Sequence, residues 1–138
     1  MKVDGGCHCG QITFEAEIDP ERVSICHCTD CQTMSGAPFN AVVQVSQADF
    51  TLKSGTLKMY VKTAESGNKR AQMFCPDCGN RIYATSAGDP PGGGQKFFGI
   101  RIGVINQRRE LSPKRQIWHR SAQPWVNGLG DIPVVEKQ

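Results

Sequence analysis

The sequence predicts a mainly β protein of twisted sheets with little or no helix, and three observations support that fold class. Several short segments alternate apolar and polar residues or are rich in β-branched side chains. No segment of about 12 or more residues keeps a 3.6-residue apolar period. Glycine- and proline-rich stretches separate the segments. With 138 residues, the chain is predicted to form one domain, residues 1–138.

The first half of the chain is predicted to contain four strands. Residues 11–18 (QITFEAEI) place Ile12, Phe14, Ala16 and Ile18 on one side, which indicates a half-buried strand. Residues 39–46 (FNAVVQVS) form a short β-branched strand. Residues 50–62 (FTLKSGTLKMYVK) contain two alternating runs around a Ser-Gly pair and are predicted to form a hairpin.

The second half is predicted to continue the β pattern. Residues 69–74 and 80–86 flank a CPDC turn and read as two strands, and residues 96–105 (KFFGIRIGVI) read as another. A short helix fits the turn after Cys28. Residues 88–95 (GDPPGGGQ) are predicted to be a loop, and residues 126–138 form a peripheral tail.

Charge and hydropathy narrow the class of protein. The net charge is only +3, and the basic residues late in the chain lack interleaved aromatic residues, so nucleic-acid binding is not expected. The chain has no apolar run long enough for a membrane helix, and MKVDGG does not resemble a signal peptide. We therefore expect a cytoplasmic protein without a membrane partner, in which paired cysteines bind metal or act in redox chemistry.

The seven cysteines form groups of two, three and two along the sequence. Structural zinc takes four ligands, whereas catalytic zinc takes three and keeps one position open. Joining the two pairs gives a closed site and leaves the triplet as an open one, so two zinc ions per chain are expected. The closed, structural site would use Cys7, Cys9, Cys75 and Cys78. The open, catalytic site would use Cys26, Cys28 and Cys31.

Two alternatives to this assignment stay open at this point. Both metals could be architectural, with a further residue closing the second site. A redox dithiol could instead form at Cys28 and Cys31 or at Cys75 and Cys78. In extended chain the residue between two metal-facing cysteines points away, so His8 and His27 are not expected to be ligands. His27 is nevertheless a candidate catalytic residue that assists proton transfer.

Three motifs carry a resemblance to a known family: GGCHCGQITFEAEI, CHCTDCQTMSGAPF and FCPDCGNRIY. Together they resemble the glutathione-dependent formaldehyde-activating enzyme family, which shares its domain with centromere protein V. The resemblance spans about residues 5–125. It implies an Mss4-like zinc-containing fold of antiparallel sheets and the same division into structural and catalytic cysteines. One departure is Gln116, where many members carry a histidine; His119 lies three positions further on.

The resemblance also implies an activity and its substrates. The expected reaction is that of a zinc-dependent carbon-sulfur lyase, the reversible addition of glutathione or another small thiol to formaldehyde or a related aldehyde. The alternative is a non-catalytic zinc module that binds a protein or a nucleic acid, which the centromere branch of the family permits. A long basic or proline-rich extension would favour that alternative, and this sequence contains none.

Overall fold

The computed structural model describes residues 1–138 and consists mostly of β-strands, as the sequence predicts. It contains ten strands, one α-helix and six short 3-10 helices. The strands are β1 (Lys2–Gly6), β2 (Thr13–Glu17), β3 (Val23–Cys26), β4 (Asn40–Ser46), β5 (Phe50–Ser54), β6 (Lys58–Thr63), β7 (Lys69–Phe74), β8 (Arg81–Ser86), β9 (Phe97–Arg101) and β10 (Arg115–Ile117), and the helix is α1 (Thr29–Ser35).

The strands form two sheets. The smaller sheet has the order β1-β2-β5, and the larger has the order β10-β3-β4-β9-β8-β7-β6. All neighbouring strands run antiparallel except the edge pair β10 and β3, which is parallel. This pair departs from the all-antiparallel expectation, because β10 returns to the sheet from the far end of the chain.

The apolar core gathers side chains from both sheets. The predicted alternation in β2 is present, since Phe14 and Ala16 are buried while Thr13 and Glu17 are exposed. Phe14 stacks on Phe50 with ring centroids 5.2 Å apart. Backbones approach closely where β1 crosses the chain after β9: a Cβ at Gly5 would lie 2.1 Å from the carbonyl oxygen of Val104, so only glycine fits there.

The predicted hairpin over residues 50–62 is wrong, although both of its strands exist. Strand β5 pairs with β2 in the smaller sheet, whereas β6 pairs with β7 in the larger one. Gly55 between them has φ +81° and lies against the backbone of Gln11. The Ser-Gly turn therefore passes the chain from one sheet to the other. Strand β5 pairs with a strand that comes earlier in the sequence, and β6 pairs with the strand that follows it.

The strand predicted over residues 96–105 is shorter than expected. Strand β9 ends at Arg101, and a 3-10 helix covers Ile102–Val104. Ile102 and Val104 are still buried, so their apolar character reflects packing rather than sheet pairing. The short helix after Cys28 is present as α1, and its C-cap residue Gly36 has φ +63°. The loop predicted at residues 88–95 contains no strand or helix.

The larger sheet has one apolar and one polar face, and the candidate site lies on the polar face. Val43 of β4 and Ile100 of β9 pair on the apolar face and are fully buried. Because side chains alternate along a strand, the neighbouring pairs place polar groups on the opposite side. This polar face carries Cys26, Asn40, Arg70, Gln72 and Arg101.

Helix α1 is attached to distant strands by two side chains. The Lys62 ammonium of β6 lies 2.6 Å from an Asp30 carboxylate oxygen, and Arg81 Nε of β8 donates to the carbonyl oxygen of Met34 at 3.1 Å. None of the helices has the length and apolar character needed to cross a membrane.

Candidate metal centres

The first cluster joins the two cysteine pairs that lie furthest apart in the sequence. Cys7 and Cys9 follow β1, and Cys75 and Cys78 lie in the turn between β7 and β8. The Cys7 and Cys9 sulfurs are 3.5 Å apart, and the Cys9 and Cys75 sulfurs are 3.7 Å apart. All four sulfurs lie within 4.8 Å of one another. We call this set the four-cysteine cluster.

Local hydrogen bonds shape both halves of the four-cysteine cluster. The Cys7 amide donates to the carbonyl oxygen of Ile12 at 3.0 Å, and the Ile12 amide donates to Cys7 Sγ at 3.2 Å. In the other half, the Cys75 amide donates to the Asn80 carbonyl oxygen at 3.0 Å. The His8 amide joins the halves by donating to Asn80 Oδ1 at 3.1 Å.

Backbone amides also favour the thiolate form of Cys78 in this cluster. The N–H groups of Cys9 and Asn80 donate to the Cys78 sulfur and lower the pKa of that thiol to about 6. Hydrogen bonds to the charged form are a general cause of such lowering, and metal ligation requires cysteine as thiolate.

The second cluster comes from one continuous segment. Cys26 ends β3, Cys28 is the N-cap residue of α1, and Cys31 lies in the first turn of α1. The Cys28 sulfur accepts a hydrogen bond from the Cys31 amide at 3.3 Å. The three sulfurs lie within 4.8 Å of one another, and no fourth His, Cys, Asp or Glu side chain joins them. We call this set the three-cysteine cluster.

The charge of the three-cysteine cluster concentrates on Cys31. A hydrogen bond from the Cys26 thiol is the largest cause that lowers the pKa of Cys31 to about 5, and the Cys28 thiol and the positive charge of Arg101 act in the same direction. Desolvation of Cys31 opposes them. The shared proton raises the pKa of Cys26. Because the side chain of Asn40 also hydrogen-bonds to Cys31, this cysteine faces the polar side of the larger sheet.

The sulfur positions of both clusters fit a metal ion. A tetrahedral zinc with bonds of about 2.3 Å to sulfur needs sulfurs a little under 4 Å apart. The separations of 3.5 and 3.7 Å in the four-cysteine cluster are close to that value, and the three sulfurs of the other cluster lie within 4.8 Å of one another. None of the seven cysteines forms a disulfide. The clusters can therefore hold two metal ions, one with four cysteine ligands and one with three.

The structure brings together the same cysteine groups that the sequence spacing predicts, and it places the histidines outside them. His8 is exposed. His27 is only 1% exposed, and its Nε2 lies 2.7 Å from Gln116 Oε1, while Nδ1 has no hydrogen-bond partner. Its ring packs edge-on against Phe39 and His119, at centroid distances of 5.7 and 5.2 Å.

Polar residues that carry no sequence signature complete the site. Gln32 Nε2 of α1 donates to the carbonyl oxygens of His27 and Ser121, at 2.7 and 2.9 Å. Gln123 Nε2 donates to Gln32 Oε1 at 2.7 Å. These glutamines connect the cysteine-bearing segment to residues 121–123. Sequence reasoning missed them, and Gln72 and Asn40 as well, because isolated amides form no recognisable motif.

Comparisons with known proteins agree with this arrangement. The family model of the glutathione-dependent formaldehyde-activating enzyme matches residues 2–121. An uncharacterized lyase of Schizosaccharomyces pombe is 30% identical over 86 residues, which are 58% of this chain and 55% of the relative. The match thus spans about half the length of that curated relative.

A solved structure supports the fold alone. The crystal structure of a Rhodobacter sphaeroides protein superposes with a TM-score of 0.60 at 18% identity. The superposition covers 82% of this chain and 98% of that one.

Proposed function

This chain belongs to the glutathione-dependent formaldehyde-activating enzyme family, and from that premise we propose that it is a zinc-dependent carbon-sulfur lyase. In the proposed reaction a small thiol such as glutathione adds to formaldehyde or a related aldehyde. A carbon-sulfur bond forms, the carbonyl π electrons move to oxygen, and the thiol proton ends on that oxygen. The lyase direction breaks the same bond. We place this reaction in the cytoplasm, where free thiols such as those of this chain persist.

The unequal size of the two clusters carries the proposal. The four-cysteine cluster offers all the ligands of a closed structural zinc site, and the three-cysteine cluster offers one ligand too few. A purely architectural second site would need a fourth ligand side chain, and no further His, Cys, Asp or Glu ligand atom lies within 4.8 Å of all three sulfurs. Zinc at the three-cysteine cluster would supply stabilisation of the substrate thiol as a thiolate at neutral pH.

The residues around the three-cysteine cluster would then bind and orient the substrate. Cys26, Cys28 and Cys31 would supply three thiolates to the metal. Asn40 hydrogen-bonds to Cys31 and is only 7% exposed, so it fixes the side of the cluster that faces the sheet. Cys28 and Cys31 remain partly exposed, which leaves the solvent side accessible to a small thiol.

His27 is the proposed proton carrier. An amide oxygen only accepts hydrogen bonds, so Nε2 must donate to Gln116 Oε1. Nδ1 consequently carries a lone pair, and no protein group occupies it. Nδ1 and the rest of the ring are closed to solvent, so we propose that His27 takes part in proton transfer between thiol and aldehyde oxygen only after the side chains around it rearrange on substrate binding.

The proposed activity can be tested by NMR of formaldehyde and glutathione at equilibrium. Metal-loaded protein should broaden the signals of the free and adduct species through exchange, in proportion to protein concentration. Protein stripped of metal by a chelator serves as the control and should leave the line widths unchanged. Line widths that stay unchanged with fully loaded protein would exclude this thiol and aldehyde pair as substrates.

Replacing His27 by glutamine should slow the same exchange. General acid-base groups contribute about a hundredfold or more to a rate, so a loss of that order is expected while the metal content stays at the wild-type value. An exchange rate equal to that of the wild type would remove His27 from the mechanism. A lowered metal content would assign it to positioning of the cysteine segment instead.

A further inference from the structure

Three partly buried arginines surround the three-cysteine cluster. Arg70 and Arg101 lie on the polar face of the larger sheet, and Arg81 begins β8 beside the C-terminal end of α1. The charge of Cys31 acts on both Arg70 and Arg101, and Arg101 also senses the charges of its two neighbours. The three guanidinium groups therefore form one positive region next to the thiolates.

No carboxylate balances these charges. The six ion pairs of the protein all involve other basic groups. The arginines instead donate to neutral acceptors: Arg70 to Ser86 Oγ at 3.5 Å, Arg81 to the Met34 carbonyl oxygen at 3.1 Å and Arg101 to Gln72 Oε1 at 2.8 Å.

Two of the guanidinium nitrogens are buried without any partner. They are Arg81 Nη1 and Arg101 Nε. A buried donor without an acceptor is unfavourable, and such a group marks a position where a water, an ion or a ligand atom can be accommodated. Gln72 is only 3% exposed and holds the other side of the Arg101 guanidinium, so the orientation of Arg101 is fixed before any ligand arrives.

The charge balance indicates what the partner is. Three thiolates and one divalent ion carry a net charge of about −1. This charge offsets one of the three arginine charges. A substrate bound as thiolate would neutralise a second arginine and leave one positive charge. One carboxylate on the substrate would complete the balance. Arginine suits that partner because its planar fork matches a carboxylate.

The shape of the surface agrees with a short anionic tail. Arg81 and Arg101 line a cleft of about 530 Å³, which lies within the range of about 300–1,000 Å³ of small-molecule sites. Its other walls include Met34, Phe39 and Asn40. Asn40 also hydrogen-bonds to Cys31, so the cleft begins one side chain away from the cluster.

We propose that Arg81 and Arg101, supported by Arg70, form an anion subsite that binds a carboxylate of the thiol substrate and selects carboxylate-bearing thiols over neutral ones. This inference rests on the proposed function, because it assigns the subsite to the substrate of that reaction. It makes Arg81 and Arg101 specificity-determining residues, and it makes Gln72 a positioning residue that acts through Arg101.

The test uses S-methylglutathione, which keeps both carboxylates of glutathione but has no thiol. The reference ligand is its dimethyl ester, in which both carboxylates are also blocked. Binding to the metal-loaded protein is measured by calorimetry and by the arginine Nε–H signals in ¹⁵N NMR. We expect the acid to bind about ten- to a hundredfold more tightly than the ester and to shift the Nε–H signal of Arg101. Arg101→Gln and Arg81→Gln should each lose about tenfold in affinity for the acid.

Arg109→Gln is the matched control, since Arg109 is exposed and forms no ion pair, so the substitution removes the same charge outside the arginine cluster. It should leave the affinity unchanged. Equal affinity for acid and ester, which needs no variant, would overturn the subsite. An equal loss in Arg109→Gln would reduce the effect to net charge and overturn it as well.

This design separates the subsite from the proposed reaction. Because S-methylglutathione cannot react, its binding is measured whether or not the protein accelerates thiol exchange with formaldehyde. Acid-selective binding without acceleration would contradict the proposed reaction and keep the subsite. Acceleration of the exchange together with equal affinity for acid and ester would support the proposed reaction and contradict the subsite.

Discussion

Replacing Cys78 by alanine is expected to unfold the protein, although this residue is exposed. Exposed substitutions ordinarily change the free energy of unfolding by about 0.5 kcal/mol or less. Structural zinc in small domains contributes about 10–16 kcal/mol of apparent binding free energy, which matches or exceeds the total stability of about 5–15 kcal/mol of a typical domain. Circular dichroism during thermal unfolding would show loss of the cooperative transition.

Cys75→Ala provides the comparison, because Cys75 is fully buried and belongs to the same cluster. If the cluster holds a structural metal, the exposed and the buried cysteine should be equally necessary. A Cys78→Ala protein that melts like the wild type, beside a destabilised Cys75→Ala protein, would show that burial and not metal binding determines stability here.

Replacing Cys28 by serine should leave the protein folded but lower its activity. Serine is a favoured N-cap residue and can replace the sulfur that accepts the Cys31 amide, so α1 and the fold should persist. Changes to groups that only support a metal ligand cost about 10–100-fold in activity or metal affinity. Loss of a ligand should therefore lower the exchange rate more than about a hundredfold.

The readout is a pair of measurements on one sample: the thermal midpoint and the formaldehyde exchange rate. Cys31→Ser is the matched control within the same cluster and should behave like Cys28→Ser. Unfolding of Cys28→Ser to the same extent as Cys78→Ala would indicate that both clusters are structural.

The sequence predicts the cysteine grouping well, because ligand chemistry fixes both residue type and spacing. Four positions within two short segments leave few ways to build a tetrahedral site, and the structure brings together the same sulfurs. The alternating segment around Phe14 is equally predictable, since one face of a strand must be buried. Both features depend on local sequence rather than on distant partners.

Strand pairing is less predictable for a physical reason. Alternation shows that residues 50–54 and 58–63 are strands, but any exposed edge with matching register can pair with them. Here the turn at Gly55 separates them into different sheets. Strand β10 has three exposed residues, so it carries no apolar pattern at all. The clustering of the three arginines follows no sequence motif, because residues from three strands meet only after folding.

The metal content of the wild-type protein, purified without chelator, tests the central claim most directly. An open three-cysteine site beside a closed four-cysteine site predicts about two zinc ions per chain, with Cys26, Cys28 and Cys31 protected from alkylation until a chelator removes one ion. About one zinc per chain, with those three cysteines alkylated at the rate of free thiols, would contradict the account.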